Sequence, residues 1–175
     1  MSEQPSSLGS IWKKVAHALG AGAMVLAAAS DVKAERDDRG CRFFAGRSSA
    51  VAATPCASPV GLCTHGQLLG DFFGQYDFVA TTLQSANDPS DPTEFVFTGH
   101  SVITTSDGTM SSNDNGVIHI SPGATTAPFA TTILIVGGTG RFAGATGTFV
   151  DRGISDLITG GNSGAYIAQI CRSER

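Results

Sequence analysis

The sequence predicts an all-β protein, an antiparallel up-and-down barrel of seven or eight strands preceded by a signal peptide. From Cys41 onward, segments rich in Phe, Val, Ile and Thr alternate with turn signals, and no long stretch repeats at the period of a helix. The connections between these segments are short. Because closure removes the exposed edges that such a sheet would carry, we favour a barrel over a sandwich.

The N-terminal segment has the pattern of an export signal. Lys13 and Lys14 form a positive region, residues 15–29 are almost uncharged and apolar, and Val32 and Ala34 are small residues suited to a cleavage site. An apolar stretch of about 15 residues is shorter than the roughly 20 that a membrane-spanning helix needs. We therefore expect cleavage after Ala34 and a secreted or periplasmic protein.

Cleavage divides the chain into a signal peptide, residues 1–34, and a single barrel domain, residues 35–175. Only 15% of the residues are charged and the net charge is −4. The chain therefore offers no basic surface for nucleic acid or for an anionic membrane. After cleavage, no membrane span is expected.

The four cysteines all lie in the mature segment, and an even number in an exported chain favours disulfides over a metal site. Four cysteines allow three pairings. Cys56 and Cys63 bracket the turn-forming segment ASPVGL, so we pair these two. The remaining bond, between Cys41 and Cys171, closes a loop of about 130 residues. It would make the first and last strands neighbours.

The strands are predicted in chain order from runs of β-forming residues between turn signals. They are residues 41–47, 64–69, 72–83, 94–106, 109–112 continuing weakly into 116–121, 129–136, 147–155 and 165–172.

Four segments between or within these strands carry clear turn signals. SANDPSDP is a loop because each proline removes a backbone donor, and SDGT is a tight hairpin because Asp-Gly suits a type I′ turn. NDNG, residues 113–116, predicts a bend or bulge, and TGGNSG joins the last two strands.

Several strands carry apolar residues on both faces. In residues 94–105, Val96, Thr98, His100 and Val102 alternate with Phe95, Phe97, Gly99, Ser101 and Ile103. This pattern suggests an interior that is filled or holds a ligand, and an outer face that partner subunits cover. We therefore expect a homo-oligomer, either a trimer or a dimer.

The segment GGTGRFAGATG, residues 137–147, has the composition of a phosphate-binding loop. A dinucleotide loop opens a helix, whereas TFVDRGIS, which follows this segment, has the pattern of a strand. No Lys-Ser or Lys-Thr pair follows the glycines, which also excludes a P-loop. We therefore expect no nucleotide and no other cofactor.

This glycine segment resembles a motif of the allene oxide cyclase and dirigent barrel superfamily, and residues 63–78 and 97–116 resemble exported bacterial relatives. The resemblance covers residues 40–172. It implies an eight-stranded, often trimeric barrel with a hydrophobic cavity. Members of the superfamily cyclise an unstable epoxide or steer radical coupling, and many bacterial relatives have no assigned activity.

In such a fold, the glycine segment is a turn between two late strands. Glycines permit positive φ angles and close approach of the backbone. Phe142 can plug the end of the barrel and Arg141 can pair with a neighbouring carboxylate. We favour this structural role over a catalytic Arg141.

Two other kinds of site have weak support. His65, His100 and His119 are not spaced to share one strand face, so no metal site is predicted. GHSVI, residues 99–103, partly matches the nucleophile-elbow motif G-x-S-x-G of serine hydrolases. Ile103 replaces the last glycine of that motif and no helix follows, so a serine hydrolase is not predicted.

Tyr76 and His100 are the predicted catalytic residues, because each can donate a hydrogen bond to a ligand oxygen inside an apolar cavity. Asp77, His119 and Asp151 are the second choices if the opposite faces point inward. An alternative reading makes Tyr76 and His100 core or interface residues. The predicted ligand-binding side chains are Phe72, Phe78, Val102 and Phe142.

The predicted function is that of a barrel enclosing a small hydrophobic ligand. The resemblance implies an isomerase or cyclase that gives stereocontrol by confinement, without a covalent nucleophile. One alternative is a non-catalytic, lipocalin-like carrier of an apolar ligand. Another is a structural barrel filled by its own side chains.

Overall fold

A computed structural model describes residues 40–172. The predicted signal peptide, residues 1–34, lies outside the described residues. Eight strands are present: β1 (Cys41–Ala52), β2 (Cys63–Gly70), β3 (Gly74–Ser85), β4 (Glu94–Thr105), β5 (Gly108–His119), β6 (Thr126–Gly138), β7 (Thr146–Asp156) and β8 (Asn162–Cys171). No helix among these residues is long and apolar enough to cross a membrane.

The strands form one closed antiparallel barrel in chain order. Each strand pairs with the next, and β1 pairs with β8 from Cys41 opposite Cys171 to Ala50 opposite Asn162. The predicted all-β, eight-stranded up-and-down barrel is therefore confirmed. Closure leaves no free edge in the sheet, which removes a template for pairing with other chains.

Both predicted disulfides are confirmed. Cys41 is bonded to Cys171 across β1 and β8, and Cys56 is bonded to Cys63 where the loop after β1 enters β2. The first bond links the first and last strands of the barrel. The second bond links the loop between β1 and β2 to the first residue of β2. Disulfides of this kind are typical of an oxidising compartment, outside the cell or in the periplasm.

The prediction of a bend or bulge at NDNG is wrong at that position, because β5 continues without a break from Gly108 to His119 and its pairing with β6 is regular over residues 113–116. The alternating burial of this strand places Met110, Ser112 and Asp114 inside the barrel. The register with β6 shifts between Ser111 and Ser112, just before the predicted bend. Residues of types that favour turns thus lie within a regular strand, and their side chains are alternately buried and exposed.

One end of the barrel, called the closed end, is filled by aromatic and aliphatic side chains. The Phe72 ring packs edge-on against Phe44, Phe142 and Phe149, with ring centroids about 6 Å apart. The Tyr166 hydroxyl donates a hydrogen bond of 2.8 Å to the carbonyl oxygen of Phe72. Leu68, Ile103, Met110, Ile135 and Ile170 complete this core.

The glycine segment closes this same end, and its predicted structural role is confirmed. It forms a short 3-10 helix, Gly140–Phe142, whose Phe142 ring is buried in the core. Gly140 has φ of 59°, and a Cβ at that position would lie 2.4 Å from the carbonyl oxygen of Asp107. The segment therefore packs its backbone against the β4–β5 turn, which only glycine permits.

Arg141 pairs with Asp107 of that turn, with Nη1 and Oδ2 2.9 Å apart and both side chains substantially exposed. An exposed ion pair contributes about 0.2–1 kcal/mol. Arg141→Ala is therefore expected to lower the free energy of unfolding by less than about 1 kcal/mol. Ligand binding should not change. Urea unfolding and a binding titration check these expectations. Loss of ligand binding in a folded Arg141→Ala variant would instead indicate that Arg141 has a functional role.

The outer face of the barrel carries several exposed apolar side chains. Phe43, Val51 and Ile167 of β1 and β8 are more than half exposed. Exposed apolar side chains are compatible with the predicted homo-oligomer, which stays a prediction.

Candidate functional site

The other end of the barrel, called the open end, leads into an internal cavity of about 300 Å³. The loops after β1, β3, β5 and β7 surround this end, and Leu62, Ile120 and Leu157 from these loops line the cavity. The volume lies at the lower limit of small-molecule sites. The barrel therefore has a filled half and a hollow half.

The wall of the cavity is apolar. The Phe78 ring of β3 packs edge-on against Phe97 of β4, with ring centroids 5.9 Å apart. Phe78, Leu83, Phe97, Ile118, Phe129 and Ile133 are among the residues that line this wall. The wall suits an apolar ligand body, because burying apolar surface stabilises a complex.

The floor of the cavity, where the hollow half meets the filled half, is polar. The lining includes Thr64, Tyr76, Ser101, Asp114, Thr131, Asp151 and Asn162. A polar layer beneath an apolar wall can orient a ligand, because the polar end of the ligand finds hydrogen-bond partners only at the floor.

Asp114 is the most deeply buried carboxyl group of this floor, with 1% of its surface exposed. Ser101 donates a hydrogen bond to Oδ2, and the Ser112 hydroxyl donates one of 2.6 Å to Oδ1. Burial raises the pKa of Asp114, while the two serine hydrogen bonds and the charge of His100 act in the opposite direction. Desolvation is the dominant cause, because water no longer solvates the charged form.

Asp151 is the second buried carboxyl group, with 8% of its surface exposed. The Ser48 hydroxyl lies 2.9 and 2.8 Å from its two oxygens. Gly164 of β8 lies between Ser48 of β1 and Asp151 of β7. A Cβ at Gly164 would be 2.7 Å from Oδ1 of Asp151 and 2.9 Å from the Ser48 oxygen. Gly164 therefore leaves room for this hydrogen bond across the sheet. Burial also raises the pKa of Asp151.

Tyr76 of β3 points into the cavity and donates a hydrogen bond of 3.3 Å to Oδ1 of Asn162. Its ring lies over Gly66 of β2, where a Cβ would be 2.6 Å from the ring. Burial raises the pKa of Tyr76 well above its ordinary value, and the charge of Asp151 raises it further. The hydroxyl therefore keeps its proton and can donate a hydrogen bond to a ligand acceptor.

The structure bears differently on the other predicted site residues. Phe78 lines the cavity, as predicted. Phe72 and Phe142 are buried in the core of the closed end and do not line the cavity. Both side chains pack in the filled half of the barrel, so the prediction that they contact a ligand in the cavity is wrong.

His100 and Val102 are exposed, so the prediction that they face the cavity is wrong. Their neighbours Ser101 and Ile103 are the buried residues of β4. The physical reason is that the β4 face carrying Phe97, Ser101 and Ile103 turns inward, and alternate residues of a strand point in opposite directions.

Among the second choices, only Asp151 lines the cavity. Asp77 is exposed and its Oδ1 lies 2.6 Å from Nδ1 of His65. His119 lies at the open end, with Nδ1 3.3 Å from Asp91 and Nε2 3.6 Å from Glu94.

Asp91, Glu94 and His119 also form the one group among residues 40–172 whose ligand atoms could surround a metal ion. The two carboxylates face opposite nitrogens of the His119 ring. His119 therefore lies between two acidic partners at the open end of the barrel.

Asp114 lines the cavity but was not among the residues predicted from the sequence. Its period-two relation to Met110 and Ser112 on β5 would have placed it on an inward face. The run NDNG hid this relation because Asn, Asp and Gly are typical turn residues.

Asp114→Asn is expected to raise the free energy of unfolding at neutral pH, on the order of 1 kcal/mol. The pKa of Asp114 is higher in the folded state than its ordinary value of 3.8, so the unfolded chain releases the proton at lower pH. Stability therefore falls as pH rises from the ordinary pKa toward the raised one, and asparagine removes this cost.

Urea unfolding of both proteins across a pH series checks this expectation, and the difference should disappear below about pH 4. Asp77→Asn is the matched control, because Asp77 is exposed on the outside of the barrel. A less stable Asp114→Asn variant at every pH would show that the charged carboxylate stabilises the fold.

Comparisons with protein-family models, curated proteins and solved structures found no match to this chain. The fold and the site themselves define the class of protein. It is a disulfide-linked, eight-stranded antiparallel barrel with an internal cavity, whose wall is apolar and whose floor holds two carboxyl groups and a tyrosine.

Proposed function

We propose that this protein binds a small hydrophobic molecule in the barrel cavity and isomerises or cyclises it by confinement and proton transfer. The observation that carries the proposal is the floor of the cavity, where Asp114, Asp151 and Tyr76 lie beneath an apolar wall. The sequence resemblance to the allene oxide cyclase and dirigent barrel superfamily supports the same class of reaction.

The floor has the groups that a proton shift needs. Burial raises the pKa of both carboxyl groups toward the range in which a general acid or base works best. One carboxylate can accept a proton from a ligand carbon, while the other carboxyl group, in its protonated form, donates one to the ligand. Tyr76 donates a hydrogen bond to a ligand oxygen. The proton count balances, and the shift needs no cofactor.

The wall supplies the second contribution. A ligand held between Phe78, Phe97 and Phe129 adopts few conformations, so its reacting atoms stay close together. Confinement of this kind favours ring closure to one product. A structural barrel filled by its own side chains does not account for this hollow half.

A carrier is the second candidate function, and the apolar wall favours it. Such a protein needs the cavity but no proton transfer, so its ligand would leave unchanged. The two functions therefore differ in the chemistry of the floor.

The experiment has two stages. Binding is measured by titrating the purified protein with prodan, a neutral dye whose emission reports an apolar site, and copurified ligand is identified by mass spectrometry of an organic extract. The identified ligand and its isomers are then incubated with the protein and analysed by chiral chromatography. Conversion to a single isomer supports the enzyme, unchanged recovery supports the carrier, and absence of both dye binding and extracted ligand overturns the proposal.

A further inference from the structure

We infer that the ligand of this cavity carries a positive charge, as an aliphatic amine or ammonium group attached to an apolar body. The inference rests on the proposed function, because it names the class of molecule that the same cavity binds. It follows from the signs of the charges around the cavity and from the partners of its buried carboxylates.

Every charged side chain that lines the cavity is acidic. Asp114 and Asp151 lie at the floor, and Asp156 lies at the open end of β7. No lysine, arginine or histidine lines the cavity among the described residues. A ligand carboxylate or phosphate would therefore be repelled, which excludes fatty acids and other anionic lipids as preferred ligands.

The side-chain hydrogen-bond partners of the two buried carboxylates are hydroxyl groups. The backbone N–H of Arg152 also bonds Asp151, and the charge of His100 acts on Asp114 without forming an ion pair. Asp114 accepts hydrogen bonds from Ser101 and Ser112, and Asp151 accepts from Ser48. Neither carboxylate forms an ion pair with any residue in the range 40–172. A buried carboxylate without a cation is costly, and a ligand ammonium group at the floor would offset that cost with charge-assisted hydrogen bonds.

The aromatic side chains match the same ligand. Tyr76 lies at the floor, and Phe78, Phe97 and Phe129 lie in the wall. The faces of aromatic rings attract cations, and ammonium ligands are commonly bound by such rings. The aromatic rings and the carboxylates together therefore favour one class of ligand, an apolar molecule with one cationic end.

The open end adds a long-range effect. The loop after β3 carries Asp88 and Asp91, and Glu94 begins β4 beside them. Negative charge around an opening raises the local concentration of cations and speeds their association. The same charges slow the approach of anions.

The test compares three molecules that share a phenyl ring and a two-carbon chain. Phenethylamine is a cation at neutral pH, phenethyl alcohol is neutral and phenylacetate is an anion. Each is titrated into the wild-type protein by isothermal titration calorimetry, with prodan binding measured in parallel. We expect phenethylamine to bind at least about tenfold more tightly than phenethyl alcohol, the gain of a charge-assisted over a neutral hydrogen bond, and phenylacetate to bind more weakly than both.

Two variants assign the preference to the floor. Asp114→Asn with Asp151→Asn should reduce the ratio of amine to alcohol affinity to about one, because asparagine keeps the shape and loses the charge. Asp77→Asn, on the outer face of β3 beside Tyr76, should leave the ratio unchanged. The wild-type comparison decides the inference even if the double variant does not fold.

The outcomes separate the inference from the function on which it rests. Equal binding of amine and alcohol, together with prodan binding, would overturn the cationic ligand and leave the ligand-binding function standing. Tighter binding of phenylacetate would overturn it in the same way. Failure of prodan and all three molecules to bind would overturn both.

Discussion

Replacement of both Cys41 and Cys171 by serine is expected to lower the free energy of unfolding by about 5 kcal/mol. The bond joins residues 130 positions apart, and a cross-link over so long a loop removes much of the conformational freedom of the unfolded chain. It also holds β1 against β8, the pair that closes the barrel. A loss of this size equals the whole stability of many domains.

The second disulfide is the matched control. Cys56 and Cys63 are 7 positions apart, so their replacement by serine should cost only about 2.5 kcal/mol by the same loop-entropy relation. Urea unfolding of the oxidised wild type and of the two double variants measures both losses. Equal losses, or a larger loss for the short loop, would contradict the loop-entropy explanation.

The strands and the closure of the barrel were predictable because their signals are local or covalent. Runs of β-forming residues between turn signals located all eight strands, although the observed strands extend further, as β1 does to Ala52. The cysteine spacing located both disulfides, and the bond between Cys41 and Cys171 implied that the first and last strands are neighbours.

The inward faces were harder to predict, since alternation defines two faces without saying which is buried. In β4 both faces carry apolar residues, and the choice of His100 and Val102 was wrong because Phe97, Ser101 and Ile103 point inward. In β3 the choice of Tyr76 and Phe78 agrees with the structure. Beyond them, the register shift between Ala80 and Thr82 brings Leu83 to the inside.

The burial of the Asp114 carboxylate could not be predicted from the local sequence, because it depends on contacts with other strands. A buried aspartate needs hydrogen-bond donors from other strands, and Ser101 of β4 supplies one of them. Nothing in the local sequence NDNG shows that such a donor lies opposite. The sequence therefore predicted an apolar cavity with Tyr76 but not the most deeply buried carboxyl group of its floor.

If the protein isomerises its ligand as proposed, Asp114→Asn is expected to lower kcat/KM by about 10²–10⁴, the usual effect of removing a general acid or base. Tyr76→Phe is expected to lower it by about 10²–10³, the effect of removing one hydrogen-bond donor to a developing charge. Phenylalanine keeps the ring of Tyr76 over Gly66 and removes its hydroxyl proton, and asparagine keeps the shape of Asp114 and removes its basic oxygen. The loss should fall mainly on kcat, because the apolar wall that binds the ligand body is unchanged.

Tyr166→Phe is the matched control, because Tyr166 is the other tyrosine of the chain and its hydroxyl bonds the Phe72 carbonyl oxygen in the closed end. This variant should lose on the order of 1 kcal/mol of stability and keep its turnover. If Tyr76 and Asp114 act in one proton transfer, the double variant should lose little more activity than either single variant. Equal losses of turnover in Tyr76→Phe and Tyr166→Phe would instead show that both tyrosines act through the fold, and the cavity would then fit the carrier better than the enzyme.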